Sequence, residues 1–168
     1  MEYREQLVNC NTQSIPLFTL SGKRTIGKIV EMYDGDTCKI AFYIFDNLYK
    51  FNCRLAGIDT PEMKPKMNSN NRDEEMNAAH RARNFLLNIA TNCDNIDLSL
   101  HLKKSECAEL LQKNTKLISV VCGEFDKYGR LLVELYDENV EPGSPSYNQR
   151  LITEGYAKSY SGGTKEAF

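Results

Sequence analysis

Between Arg24 and Leu55, apolar and polar residues alternate in three short runs separated by turn formers, and no other feature limits the fold as much. Alternation with period two puts every second side chain on one face, as a half-buried strand requires. The first run, Arg24 to Met32, carries Ile26 and Val30 in its apolar phase. It stops at Tyr33-Asp34-Gly35-Asp36, a strong turn combination. The second, Thr37 to Phe45, presents Cys38, Ile40, Phe42 and Ile44 on one side. Asp46-Asn47 reads as a two-residue hairpin turn. The third, Leu48 to Leu55, sets Tyr49, Phe51, Cys53 and Leu55 against Lys50, Asn52 and Arg54. Three consecutive strands joined by tight turns begin an antiparallel meander, the opening of a small sheet or barrel.

The period then changes. Residues 63–72 form a polar loop without periodicity. A helix follows, with Asp73, Glu74 and Glu75 at the end where the helix dipole favours acids. Ala79, Ala82, Leu86 and Ala90 recur at helical spacing as its core stripe. Within 92–115, Ile96, Leu98, Leu100 and Leu102 alternate like a strand, and Ser105 to Gln112 predicts a short helix. Leu117–Val121 and Arg130–Tyr136 read as further strands. Ser144-Pro145 reads as a helix N-cap followed by a first-turn proline. That helix buries Tyr147, Leu151 and Ile152 and stops at Gly155. A short helix is expected at 2–8, and 161–168 reads as a flexible tail.

At 168 residues the chain predicts one domain. A 41% hydrophobic and 26% charged composition excludes disorder, collagen and coiled coil as whole-chain solutions. No stretch approaches the ~18 continuous apolar residues of a membrane span, so no membrane is expected as a partner. The six cysteines have no C-x-x-C spacing, which argues against a zinc site and leaves them as reduced thiols. Together with an N-terminus lacking an apolar signal core, this predicts an intracellular, cytoplasmic setting. The formal charge of −2 removes any whole-molecule electrostatic argument for nucleic-acid binding. Such a function must rest on a local site.

Carboxylates gather at the ends of the predicted strands. Asp36 opens the second strand, and Asp59-Thr60-Pro61-Glu62 follows the third. A hairpin brings both segments to its open end, where adjacent strands lie ~5 Å apart. Two carboxylates and a backbone carbonyl there would suit Ca²⁺ or, less comfortably, Mg²⁺. Taken alone, Asp34-Gly35-Asp36 reads as an Asx-capped turn. Arg54 and Arg130 each read singly as surface residues. Aimed at one cavity, they would match phosphate oxygens in pairs, and Glu62 would supply a carboxylate able to activate water. Lys64, Lys66, Arg72 and Lys127 could ring such a cleft.

The blocks Asp34-Gly35-Asp36-Thr37, Arg54-Leu55-Ala56-Gly57-Ile58-Asp59-Thr60-Pro61-Glu62 and Asp126-Lys127-Tyr128-Gly129-Arg130, in this order, resemble the staphylococcal nuclease (thermonuclease) family. So does Asn148-Gln149-Arg150-Leu151-Ile152-Thr153-Glu154-Gly155-Tyr156-Ala157. The resemblance spans roughly 24 to 160. It implies a mainly β, α+β architecture: a five-stranded OB-fold barrel packed by about three helices. The domain would cover 23–160, with 1–22 as an extension and 92–115 as an insertion. It implies a Ca²⁺-dependent nuclease hydrolysing DNA and RNA by cleaving the bond to the 5′ oxygen. Asp36 and Asp59 would be the calcium carboxylates and Thr60 the carbonyl ligand. Arg54 and Arg130 would clamp phosphate, Glu62 would orient or deprotonate water, and Lys127 and Tyr128 would contact nucleotides. The enzyme is expected to be monomeric. Tyr160 stands at an offset from the family's base-stacking tyrosines, which leaves stacking on that side open. The alternatives are a catalytically silent OB module that binds nucleic acid or protein, and a phosphodiesterase acting on small nucleotides.

Overall fold

A computed structural model of the protein describes residues 2–93 and 95–162. Five strands close into a barrel in the order β1-β2-β3-β6-β5. They are β1 (Arg24–Met32), β2 (Thr37–Ile44), β3 (Asn47–Leu55), β5 (Ile118–Phe125) and β6 (Leu131–Asp137). The short β4 (Ile58–Asp59) and β7 (Lys158–Ser159) form a separate antiparallel pair. Four helices are described: α1 (Glu2–Asn9), α2 (Arg72–Ile89), α3 (Lys104–Lys113) and α4 (Tyr147–Thr153). The fold is an α+β, OB-type barrel, and the four described helices lie where the sequence reading expects them.

Cys38, Ile40, Phe42 and Ile44 of β2 point inward as the alternation predicts, and Ile118, Val120, Leu131, Val133 and Leu135 complete the interior. Each fully buried aliphatic or aromatic side chain contributes roughly 1.5–3 kcal/mol relative to exposure. The β1 phase differs from expectation. Ile29 and Met32 are buried, whereas Ile26 is 42% exposed. Gly27 and Ile29 set the inward phase, hidden in the sequence because Gly27 carries no side chain, and a register shift between Ile29 and Glu31 then inserts an extra residue that brings Met32 inward.

The hairpin turn is Phe45-Asp46 rather than Asp46-Asn47. Ile44 pairs with Asn47, and the two residues between take φ of 52° and 64°, as a type I′ turn demands. A phenylalanine is an unusual occupant of that conformation, which is why the Asp-Asn pair was the better sequence candidate.

Segment 95–102 is not a strand. Its carbonyls face α2 side chains instead of a neighbouring strand. The Asn84 amide donates to Asp97 O, Leu98 O and Leu100 O at 3.3, 3.0 and 2.8 Å. Asn88 exchanges two hydrogen bonds with Ile96, and Arg83 Nη2 donates to Leu102 O at 2.9 Å. The expected helix after it forms as α3. The N-cap of α4 is Ser146, whose hydroxyl accepts from Gln149 N at 3.0 Å, not Ser144 before Pro145. Residues 163–168 of the expected flexible tail lie outside the described residues.

Two features hold the open end of the β2–β3 hairpin in place. β3 pairs in parallel with β6 over Cys53–Leu55 and Leu131–Val133, which closes the barrel. From α4, the buried Asn148 amide donates to Ala56 O and Val133 O at 2.9 and 3.0 Å, and its carbonyl oxygen accepts from Leu135 N.

Candidate active site

The turn after β1 and the segment after β3 meet because Gly35 has no side chain. A Cβ there would sit 2.8 Å from Thr60 Cγ2 and 2.9 Å from Ala82 Cβ. The turn is therefore wedged between the 59–62 segment and α2. Within it Asp36 N donates to Asp34 Oδ1 at 3.0 Å, so the Asx turn and the proposed ligand Asp36 are parts of one device.

Asp36, Arg54, Asp59 and Thr60 form a buried cluster. Arg54 Nη1 lies 2.9 Å from Asp36 Oδ2 and its Nη2 lies 3.6 Å from Asp59 Oδ1. The same Nη2 donates to Ile58 O at 3.1 Å. Thr60 N donates to Asp36 Oδ2 at 3.0 Å, and Thr37 Oγ1 donates to Asp36 Oδ1 at 3.1 Å. Asp36 and Asp59 thus approach one guanidinium from neighbouring elements.

Arg130 comes from the β5–β6 turn. Asp126 Oδ2 accepts from its Nε at 2.8 Å, and Asp126 Oδ1 accepts from Tyr128 N and Arg130 N, each at 2.9 Å. Gly129 closes the turn at φ of 81°. The Tyr128 ring lies between two cations, 5.2 Å from Lys127 Nζ and 5.3 Å from the Arg130 guanidinium carbon.

A cleft of about 870 Å³ joins these parts. Asp36, Arg54, Glu62, Lys127, Tyr128 and Arg130 line it. Asp59 and Thr60 are buried beside it, linked to its wall through Arg54 and Asp36. Glu62 is exposed at the rim. Lys64, Lys66 and Arg72 do not line the cleft. Met63 and Pro65 turn inward from that loop and leave Lys64 and Lys66 facing solvent.

Three further contributors escaped the sequence reading. Asp34 is buried on the cleft wall. Burial, then the charge of Asp36, pushes its carboxyl up to about 8. Burial also opposes ionisation of Asp36, but the Arg54 charge and the surrounding donors outweigh it and hold Asp36 below the usual carboxylate range. Asp126 was quoted only as part of a motif, although its i, i+4 spacing to Arg130 was a readable sign of pairing. Tyr160 reaches the cleft because β7 pairs with β4 and Tyr160 N donates to Gly57 O at 2.9 Å. Its ring centroid lies 5.6 Å from the Arg54 guanidinium carbon.

A closed OB-type barrel with two arginines lining one cleft and carboxylates buried beside it belongs to a recognisable class. A family model described as staphylococcal nuclease homologue matches residues 52–167. The chain belongs to that family. The match includes every predicted site residue except Asp36. No curated protein matches the chain.

Proposed function

We propose that the protein is a Ca²⁺-dependent nuclease that hydrolyses DNA and RNA, breaking the bond between phosphorus and the 5′ oxygen and leaving 3′-phosphate ends. Convergence of Arg54, Arg130, Asp36 and Glu62 on one cleft carries this reading. The two guanidiniums bind non-bridging oxygens of the scissile phosphate and favour the charge that builds up as water attacks. Arg54 needs little reorganisation, because Asp36 and the Ile58 carbonyl already fix its plane. Glu62 accepts the proton of the attacking water at the rim, where solvent enters. Lys127 and Tyr128 flank the nucleotide beside Arg130.

The donor set fits a hard cation. Asp36, Asp59 and the Thr60 carbonyl offer only oxygen, Asp34 adds another buried carboxyl nearby, and the Thr60 hydroxyl is buried with no hydrogen-bond partner. Among the described residues there is no group of three or more His, Cys, Asp or Glu side chains poised to hold a metal. Water and substrate oxygens would therefore complete the shell of a Ca²⁺ held by Asp36, Asp59 and Thr60. Such an ion supplies Lewis-acid polarisation of the phosphate. The enzyme acts as a monomer on dissolved nucleic acid, in the cytoplasm.

Digestion of plasmid DNA and of RNA with Ca²⁺, and again with EDTA, tests the proposal. Cleavage with Ca²⁺ alone and 3′-phosphate termini are expected. Substrate left whole in both conditions would replace the enzyme with a silent binding module.

A further inference from the structure

The outer face of β2 and β3 continues from the cleft. Since Cys38, Ile40 and Phe42 point inward, Thr37, Lys39, Ala41 and Tyr43 point outward. The register sets Arg54, Asn52, Lys50 and Leu48 opposite them. Arg54 therefore shares its face with Lys50, and successive rows lie ~7 Å apart along the strands. β1 adds Glu31 beside Lys39 and Lys28 beside Ala41.

α3, carried by segment 92–115, lies along β1. Lys28 Nζ reaches Gln112 Oε1 at 3.5 Å, and Lys104 Nζ reaches Glu31 at 3.2 Å. Glu31 also meets Lys39 at 3.0 Å and Lys50 at 3.6 Å. Three ammonium groups thus gather on one carboxylate, leaving two positive charges in excess, with Lys28 alongside. The lysines stay accessible, with side chains 35%, 55% and 60% exposed for Lys39, Lys50 and Lys104. On a chain of net charge −2 this is a local concentration of positive charge. Beyond it stand the exposed Tyr43 and Leu48, paired across the hairpin.

We propose that this lysine-rich face, completed by Lys104 of α3, is a track that holds single-stranded nucleic acid as it runs out of the cleft. The proposal extends the nuclease reading of the cleft and rests on it for the course of the strand. Exposed cations gathered on a surface continuous with Arg54 fit a polymer that carries a phosphate at every repeat. An exposed tyrosine at the far end can stack on an unpaired base, which a duplex does not offer. Glu31 keeps the lysines gathered in the free protein and gives them up to phosphate.

Binding of a labelled oligothymidylate, followed by fluorescence anisotropy in EDTA across a salt series, tests the track without depending on hydrolysis. The combined variant Lys39→Gln, Lys50→Gln, Lys104→Gln should weaken binding of a long oligonucleotide. Its slope of log K against log salt should become shallower by about 2, as loss of three phosphate contacts on a single strand requires. Lys113→Gln, at the far end of α3, should change neither. Glu31→Gln should tighten binding, whereas a purely structural role for Glu31 would loosen it. An unchanged slope in the combined variant, or looser binding by Glu31→Gln, overturns the track. So does displacement of the oligonucleotide by polyglutamate at matched charge, which would assign the face to an acidic protein. Hydrolysis of a dinucleotide with Ca²⁺, which reaches only the cleft, should be the same in the combined variant and the parent. If the parent cleaves nothing while the slope still shifts, the nuclease reading falls and the binding face stands.

Discussion

Asp126 holds Arg130 at two points: one carboxylate oxygen accepts from the guanidinium Nε at 2.8 Å, and the other accepts from the Arg130 backbone N–H at 2.9 Å. Residues in the β5–β6 turn thereby fix both the path of the chain and the direction of the side chain. Asp126→Ala should lower kcat by about 10²-fold, the scale expected for a misplaced catalytic group, with a smaller rise in KM. Asp126→Asn keeps one acceptor for the backbone and should recover part of the rate. Steady-state kinetics on DNA check both. Equal losses for the two variants would mean that charge, not orientation, matters.

Arg54→Ala should damage stability as well as activity. Its guanidinium is the counter-ion of Asp36 and Asp59 in a buried setting. Removing one partner of a buried pair costs about 3–5 kcal/mol. Urea unfolding should show a loss of that order alongside a large fall in kcat.

Gly35→Ala tests the wedge between the metal-side turn and α2. The added methyl would meet Thr60 Cγ2 and Ala82 Cβ below 3.0 Å. Overpacking of this kind costs about 1–3 kcal/mol. Adding Ala82→Gly should recover part of it, measured as a coupling energy in a double-mutant cycle.

A pH dependence follows from His80, remote from the cleft. Its ring stacks on His101 at 3.9 Å, and its Nδ1 lies 2.9 Å from Arg83 Nη2. Arg83 can only donate, so Nδ1 accepts and is unprotonated. Burial, then the charges of Arg83 and His101, pull His80 down to about 4 from the ordinary value of 6.5. The unfolded chain binds that proton more readily than the folded one. The His80 contribution is therefore complete above pH 6.5 and is lost as pH falls from 6.5 to about 4. His80→Gln should flatten the stability profile in that window, read by urea midpoints.

Ca²⁺ should raise Tm as RT ln(1 + [L]/Kd) if it binds only the folded chain. Asp36→Asn should abolish the rise while leaving the barrel folded. A Tm insensitive to millimolar Ca²⁺ in the parent protein would count against the metal assignment.

The meander was legible because β2 buries alternate residues against a single interior, whereas on β3 Tyr49 is exposed, Phe51 half-buried and only Cys53 and Leu55 of the expected face are fully buried. The misplacements share a cause: tertiary partners acting where local pattern is silent. In β1 the inward phase begins at Gly27 and Ile29 rather than Ile26, and the bulge after Ile29 shifts it to Met32. The 95–102 run alternates like a strand, but Asn84 and Asn88 of α2 satisfy its carbonyls. For the site, Asp36, Arg54, Glu62 and Arg130 could be named from their motifs. That the Asp34 carboxyl is pushed upward, and that Tyr160 faces Arg54, depends on burial and on the β4–β7 pairing. Neither is written in any short stretch of chain.

The parallel pairing of β3 with β6 has a temporal consequence. Arg54 and Arg130 are far apart along the polypeptide and become neighbours only after residues beyond 131 have joined the sheet. The clasp from Asn148 comes later still. During ribosomal synthesis a growing chain therefore holds Arg54 without Arg130 beside it until β6 has emerged and paired with β3.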